Sequence, residues 1–234
     1  MYERYERDGR ISKEDLKRYN RLKKIDKRTA EIFATLYKNN DKLINSTLKE
    51  IAKTTRKETI NNMLYEGVHT ISKKFDVDKV VNAEVAGRTW KERTKHYEYN
   101  FTYDMRSVIR DGLEQGHTYT QMCQNLKKKI GKNVKKPMQI ARTESHRVVE
   151  FTKNETMQEI ADKVQNVEVH KIWRTMQDER VRSSHKKMEG QEVKFDELFT
   201  LPSGATCLFP TESGDADEDI NCRCYVEYVI RDKE

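Results

Sequence analysis

Val167-Glu168-Val169-His170-Lys171-Ile172-Trp173 is the stretch whose reading decides the fold. Apolar and polar residues alternate there with period two, the pattern of a strand with one buried face. Upstream of Asn166 the apolar spacing is three and four, so the chain changes from helix to mixed structure at this point. Glu192–Phe195 and Cys222–Ile230 also read as strands, the second through the β-formers Tyr225-Val226-Glu227-Tyr228-Val229-Ile230. A short helical turn is expected near Arg182–Met188, and Pro202, Gly204, Pro210 and Gly214 mark loops.

Working back toward the N-terminus, Leu16, Tyr19, Leu22, Ile25, Ile32, Phe33 and Leu36 follow helical spacing, with Ser12 and Asp15 resembling a capping box. Asn39-Asn40-Asp41 is expected to break this helix. A second run passes through Leu43, Ile44, Leu48, Ile51, Ile60, Met63 and Leu64 and ends near Gly67. These stripes are narrow, so the helices are expected to pack against each other or against a partner. Shorter helices are predicted over Val77–Arg88 and Met105–Glu114, the latter ending at Gly116. Thr118 or Thr120 caps another that runs to Ile130 and stops at Gly131. Around these glycines a helix-turn-helix and an ordinary helical hairpin read alike. Pro137 suits the first turn of a long helix from Met138 to about Lys163. The expected class is α+β: a mainly helical, basic region 1–137, then a module 138–234 with a short antiparallel sheet. In that module a long helix, 138–164, precedes an α+β unit, 166–232.

Hydrophobic residues make up 35% of the 234 and charged residues 36%, a composition that favours long, partly exposed helices. The net charge of +7 is unevenly spread: residues 166–234 carry 10 Lys+Arg and 15 Asp+Glu, a net of −5, which leaves +12 on residues 1–165. That positive part suits nucleic acid or an acidic protein surface, or else solvated helix faces, since its charges alternate in sign. The four cysteines are too few and too unevenly placed for a secreted disulfide framework. Met-Tyr-Glu-Arg-Tyr-Glu-Arg at the start lacks the apolar core of a signal peptide, and no apolar run reaches the ~18–20 residues that span a membrane. The expectation is a soluble protein, without a membrane partner, made in a reducing cytoplasm.

Two clusters carry chemistry. Cys222 and Cys224 lie two apart, so in a strand both face one ligand while Arg223 points away. With His185 they make three zinc ligands, and Asp178 or Cys207 is the candidate fourth. The competing reading packs the cysteines against Trp173 and bonds His185 to Asp178. Arg180 and Arg182 either fork to carboxylates or phosphates, or pair with Asp178, Glu179 or Glu189 to hold their loop. The second cluster is Ile140-Ala141-Arg142-Thr143-Glu144-Ser145-His146-Arg147, where Arg142 with His146, and Thr143 with Arg147, share a helix face suited to anchoring the module or a partner. The acidic run Asp215, Asp217, Glu218, Asp219 lacks the order of a calcium loop and reads as solvated. Neither a phosphate-cradling glycine loop nor a Gly-x-Ser-x-Gly elbow occurs.

Ala141-Arg142-Thr143-Glu144, Lys171-Ile172-Trp173-Arg174-Thr175, Asp178, Arg180-Val181-Arg182, His185, Met188, Gly190, Phe199, Pro210 and Asn221-Cys222-Arg223-Cys224 follow a familiar order. Over residues 138–230 the chain resembles the phage head morphogenesis family, the Mu F-like and SPP1 gp7-like minor head proteins of tailed bacteriophages. The resemblance implies a non-enzymatic virion component, in the capsid interior or at the portal vertex, assembled in the host cytoplasm. Its implied partners are the portal protein, the major capsid or scaffolding protein, and double-stranded DNA contacted without sequence preference. The implied roles are head morphogenesis and DNA packaging or ejection. It marks Arg142, Glu144, Trp173, Asp178, Arg180, Arg182, His185, Gly190, Asn221, Cys222 and Cys224, as metal ligands or as supports of the fold. The alternative is a metal-dependent nuclease or hydrolase that uses His185 with Asp178.

Overall fold

The computed structural model describes residues 21–65, 75–133, 135–164 and 167–232. Among the described residues, five helices precede the first strand: α1 (Arg21–Tyr65), α2 (Val77–Asn82), α3 (Trp90–Glu114), α4 (Tyr119–Asn133) and α5 (Lys135–Ala161). They are followed by β1 (Val167–Arg174), α6 (Ser183–Lys186), β2 (Glu192–Lys194), β3 (Phe199–Thr200), β4 (Thr206–Cys207), α7 (Ala216–Asp219) and β5 (Tyr225–Asp232). The class is α+β, as the change of period predicts. The Ser12 capping box and the approach to Gly67 lie outside the described residues.

Two compact units interleave along the chain. A helical unit takes residues up to Leu43 and Lys91–Met138; a sheet-bearing unit takes Ile44–Trp90 and Gln139–Glu234. Asn39-Asn40-Asp41 does not break α1. Such residues cost a helix only ~0.7 kcal/mol each, too little to stop one extended on both sides. The expected helix Val77–Arg88 ends early, at Asn82. Beyond it Ala86 (φ 45°) and Gly87 (φ 67°) turn the chain into a bridge between Val85 and Arg88, a left-handed pair that a helix cannot accommodate. α3 begins at Trp90, fifteen residues ahead of the expected Met105.

In the helical unit, Thr118 caps α4 reciprocally: its hydroxyl accepts from Gln121 N (3.3 Å) and the Gln121 side chain accepts from Thr118 N (2.8 Å). α4 runs past Gly131 to Asn133. Gly112 on α3 lets Met122 of α4 approach closely, since a Cβ there would meet Met122 Cγ at 2.6 Å. Phe33, Tyr37, Tyr97 and Phe101 form a run of ring contacts, with Phe33 edge-on to Phe101 at 5.6 Å.

In the sheet-bearing unit the sheet order is β2-β1-β5, all antiparallel, with Trp173 opposite Val226 and His170 opposite both Lys194 and Val229. The hairpin β3–β4 stands beside it as a second sheet. One core cluster gathers Trp173, Met188, Phe199, Phe209, Cys222 and Val226; another joins Leu48, Ala52, Val80, Val81, Trp90 and Val148. β5 is an edge strand, and α5 caps its open side. His146 Nε2 bonds Cys224 O (2.7 Å), Glu150 accepts from Val226 N (2.9 Å), and Asn154 accepts from Tyr228 OH (3.4 Å). Four helical residues advance about 6 Å and two strand residues about 6.6 Å, so the two ladders stay in step. The Cys224–Val226 end of this edge, its backbone groups satisfied by α5, no longer offers itself to another strand.

Candidate functional site

Local chain geometry brings His185, Cys222 and Cys224 together. Arg182 fixes one side by donating to Glu218 O (3.2 Å) and to Ile220 O, which ties the start of α6 to the chain after α7. Asn221 takes φ 59° and its N–H donates to Thr143 on α5 (3.1 Å), turning the backbone inward at Cys222. Gly190 takes φ 77°, and its N–H reaches Trp173 O (2.8 Å), closing the loop that carries α6 against β1. The cysteines precede β5 rather than opening it as expected. The turn at Asn221 leads into them, and Cys222 and Cys224 are both buried while Arg223 between them is less so.

His185 Nδ1 lies 3.5 Å from Cys222 Sγ and 3.3 Å from Cys224 Sγ. All three residues are buried, and their ligand atoms fall within 4.8 Å of one another. With Zn–S near 2.3 Å and Zn–N near 2.05 Å, two ligands of a tetrahedral zinc stand about 3.5 Å apart. The observed spacings fit that edge. His185 Nε2 faces Glu218 at 2.7 Å, an arrangement that points Nδ1 toward the thiols, as carboxylates behind metal-bound imidazoles do. Burial would lower the His185 pKa, but hydrogen bonding to Cys222 and Glu218 outweighs it and raises the value. The hydrogen bond with Cys224, reinforced by burial, raises Cys222 well above the ordinary thiol range; the same bond lowers Cys224.

Asp178 stands apart from this cluster. Both its oxygens accept from Arg223, at 2.5 and 2.6 Å, and that fork holds its carboxyl below the usual range. The anticipated bond from His185 to Asp178 is therefore replaced by one to Glu218. Arg223 points away from the thiols, as the spacing implies, and has its own task. Arg180 is largely exposed, 3.6 Å from Asp178. Cys207 is in the apolar core, where burial pushes its thiol far up, and is not among the three converging groups. Trp173 packs edge-on against His185 (5.6 Å) and Phe199 (5.3 Å).

Glu144 and Arg142 lie on α5 with different duties. Glu144 accepts from buried Arg147 (2.9 Å), whose other nitrogens donate to Val80 O (2.6 Å) and Val81 O (2.8 Å), satisfying carbonyls of the last turn of α2. Arg142 lines an open groove with His146, Met176 and Arg180.

Three functional groups escape sequence reasoning. Glu218 belongs to an acidic run that reads as solvated, yet it and Asp219 are buried; Asp219 accepts from Ser213 and Gly214. Arg147 carries no signal beyond its spacing. Lys171 does carry one, because it occupies the apolar phase of Val167, Val169 and Trp173. It is fully buried, donates to Glu197 O (2.7 Å) and Leu208 O (3.1 Å), and burial depresses its pKa to about 8.

Comparison with known proteins sets this geometry in a family. The Phage Mu protein F like family matches residues 103–227, more than half of the chain, including all three converging ligands. Minor head protein GP7 of Bacillus phage SPP1 is 27% identical over 98% of this chain and 75% of its own length. The NAD(+)–arginine ADP-ribosyltransferase EFV of Enterococcus faecalis is 31% identical over 64% of this chain, but over only 30% of its own length. No solved structure matches. Among the described residues no helix is long and apolar enough to cross a membrane. By the extent of the match and its place over the site, the chain belongs to the Phage Mu protein F like family.

Proposed function

We propose that this chain is a minor head protein within the virion, in the capsid interior or at the portal vertex. In this reading it associates with the portal, touches packaged double-stranded DNA without sequence preference, and assists head morphogenesis and DNA packaging or ejection, with no chemistry of its own. The region 1–137 docks to portal or DNA, and the module 138–234 serves as a scaffold. The observation that carries the proposal is one face of α3, where Lys95, Tyr99, Tyr103 and Arg110 are all exposed at helical spacing. Tyr99 is 72% exposed and Tyr103 59%, beside cations in the part of the chain that holds the positive charge. Cations neutralise phosphates and release counterions, and tyrosines add contact area. Duplex binding is expected to weaken steeply as salt rises, and Lys95→Glu with Arg110→Glu to flatten that slope by about two phosphate contacts. Salt-insensitive binding, or absence of the protein from purified particles together with no portal capture, would sink the reading.

We also propose that His185, Cys222 and Cys224 hold one zinc ion as a structural brace. The match of their spacing to a tetrahedral edge supports it, as does the orientation that Glu218 gives His185. Purified protein is expected to carry about one zinc per chain by elemental analysis, and a chelator to lower its Tm. Metal-free protein whose Tm ignores both zinc and chelator would rule the brace out. The hydrolase alternative gains no support here, because Asp178 is locked in the Arg223 fork and stands apart from His185 and the two thiols.

A further inference from the structure

In the sheet-bearing unit, a groove of about 850 Å³ runs between α5 and the chain that carries Met176, Arg180 and Cys222–Tyr225. One wall is a single face of α5, on which Ala141, Arg142, Ser145, Val149 and Lys153 follow helical spacing. Val149 and Met176 supply apolar surface, and Met176 is 53% exposed.

Four cations line this groove, Arg142, Lys153, Arg180 and Arg223, against one carboxylate, Glu150. Glu150 is already committed to Val226 N (2.9 Å) and Lys153 (2.9 Å). The Arg142 side chain makes no ion pair or hydrogen bond with any described residue. Arg180 meets Asp178 only at 3.6 Å, because Arg223 takes both oxygens of that carboxylate. Two guanidinium groups therefore stand ready for carboxylates at the mouth of a partly apolar trench. The Arg223–Asp178 fork, on the same wall, shows the bidentate geometry that such a pair adopts.

We infer that this groove binds an extended, acidic segment of a partner protein, with carboxylates on Arg142 and Arg180 and an apolar side chain over Val149 and Met176. The segment is read through its side chains. It does not extend the sheet, because His146 and Glu150 already satisfy the open edge at Cys224 and Val226. Nucleic acid suits the groove less well. The Tyr225 ring is no free stacking platform, since Lys153 Nζ lies 5.5 Å from its centroid. Met176, unbranched and adaptable, suits an apolar anchor.

Fluorescence anisotropy with the full chain and a fluorescein-labelled peptide of alternating Glu and Leu tests this without depending on the DNA or portal reading. Saturable binding is expected, weakened about tenfold or more by Arg142→Glu with Arg180→Glu, as loss of two charge-assisted contacts implies. Met176→Ala is expected to weaken it less, and Lys187→Glu, at an exposed position outside the groove, not at all. Tryptophan fluorescence and circular dichroism of each variant confirm folding. The inference is overturned if the wild-type chain shows no saturable binding, or if the paired Arg→Glu variant binds as tightly as wild type. It is also overturned if a labelled single-stranded oligonucleotide binds more tightly than the peptide and is lost through the same two substitutions, which would make this a nucleic-acid groove.

Discussion

α5 and α3 are helices of nearly equal length, 27 and 25 residues, held by different means. α5 buries ten residues, and seven of them are polar: Thr143, Glu144, Arg147, Glu150, Thr152, Asn154 and Thr156. Within the helical unit, α3 buries only Thr94, Met105, Gly112 and Leu113 and leaves Tyr99 and Tyr103 in solvent. α5 is thus located by directional bonds to backbone groups of α2 and β5, which tolerate little displacement. α3 buries fewer side chains and presents an exposed surface suited to a partner. A rigid scaffold and a docking unit would differ in this way.

The largest effect that would break the contrast is at Arg147. Arg147→Ala removes the buried cation that faces Glu144 and frees two carbonyls of α2, an expected loss of about 3–5 kcal/mol. Both tryptophans, Trp90 and Trp173, lie in the sheet-bearing unit, so their fluorescence in a urea titration reports that unit. A loss below about 1 kcal/mol would mean that the clamp does not position α5.

Lys171 sharpens the same point through pH. Its folded pKa, about 8, lies below the unfolded value of 10.5, so the unfolded chain binds the extra proton between those two. Burying the charge costs stability below about pH 8, and the cost is relieved as pH rises toward 10.5. Cys207 and Cys222, whose pKa values are raised, push the opposite way in that range, so the informative quantity is wild type minus Lys171→Met. That difference is expected to rise by up to about 3 kcal/mol across the window. A flat difference would show that the ammonium is not desolvated.

Gly112→Ala tests the helical unit, where a new Cβ would meet Met122 Cγ at 2.6 Å. A loss of about 1–3 kcal/mol is expected, seen in the far-ultraviolet helix signal while tryptophan fluorescence keeps its midpoint. A shift in both signals would show that the two units unfold as one.

Legibility in the sequence follows the same divide. β1 was readable because half-burial imposes period two, and the cap of α4 because Thr118 and Gln121 act through local bonds. The hairpin β3–β4 was not, since two-residue strands carry no period. The convergence of His185, Cys222 and Cys224 was legible from residue types and spacing. Glu218 was hidden among acids that solvate the surface in most chains, and only the turn of α7 buries it. The seat of α5 was equally opaque, because polar residues that bond to distant backbone leave no apolar stripe.

Hydrogen exchange on the full chain, with and without duplex DNA at low salt, tests the division between scaffold and docking unit most directly. β1, β5 and α5 from His146 to Ile160 are expected to exchange only through global unfolding, whether or not DNA is present. α3 between Lys95 and Arg110 is expected to exchange much faster alone and to gain protection when DNA is added. Equal protection of α3 and α5 in the free chain, or DNA-induced protection confined to β1 and β5, would contradict the account.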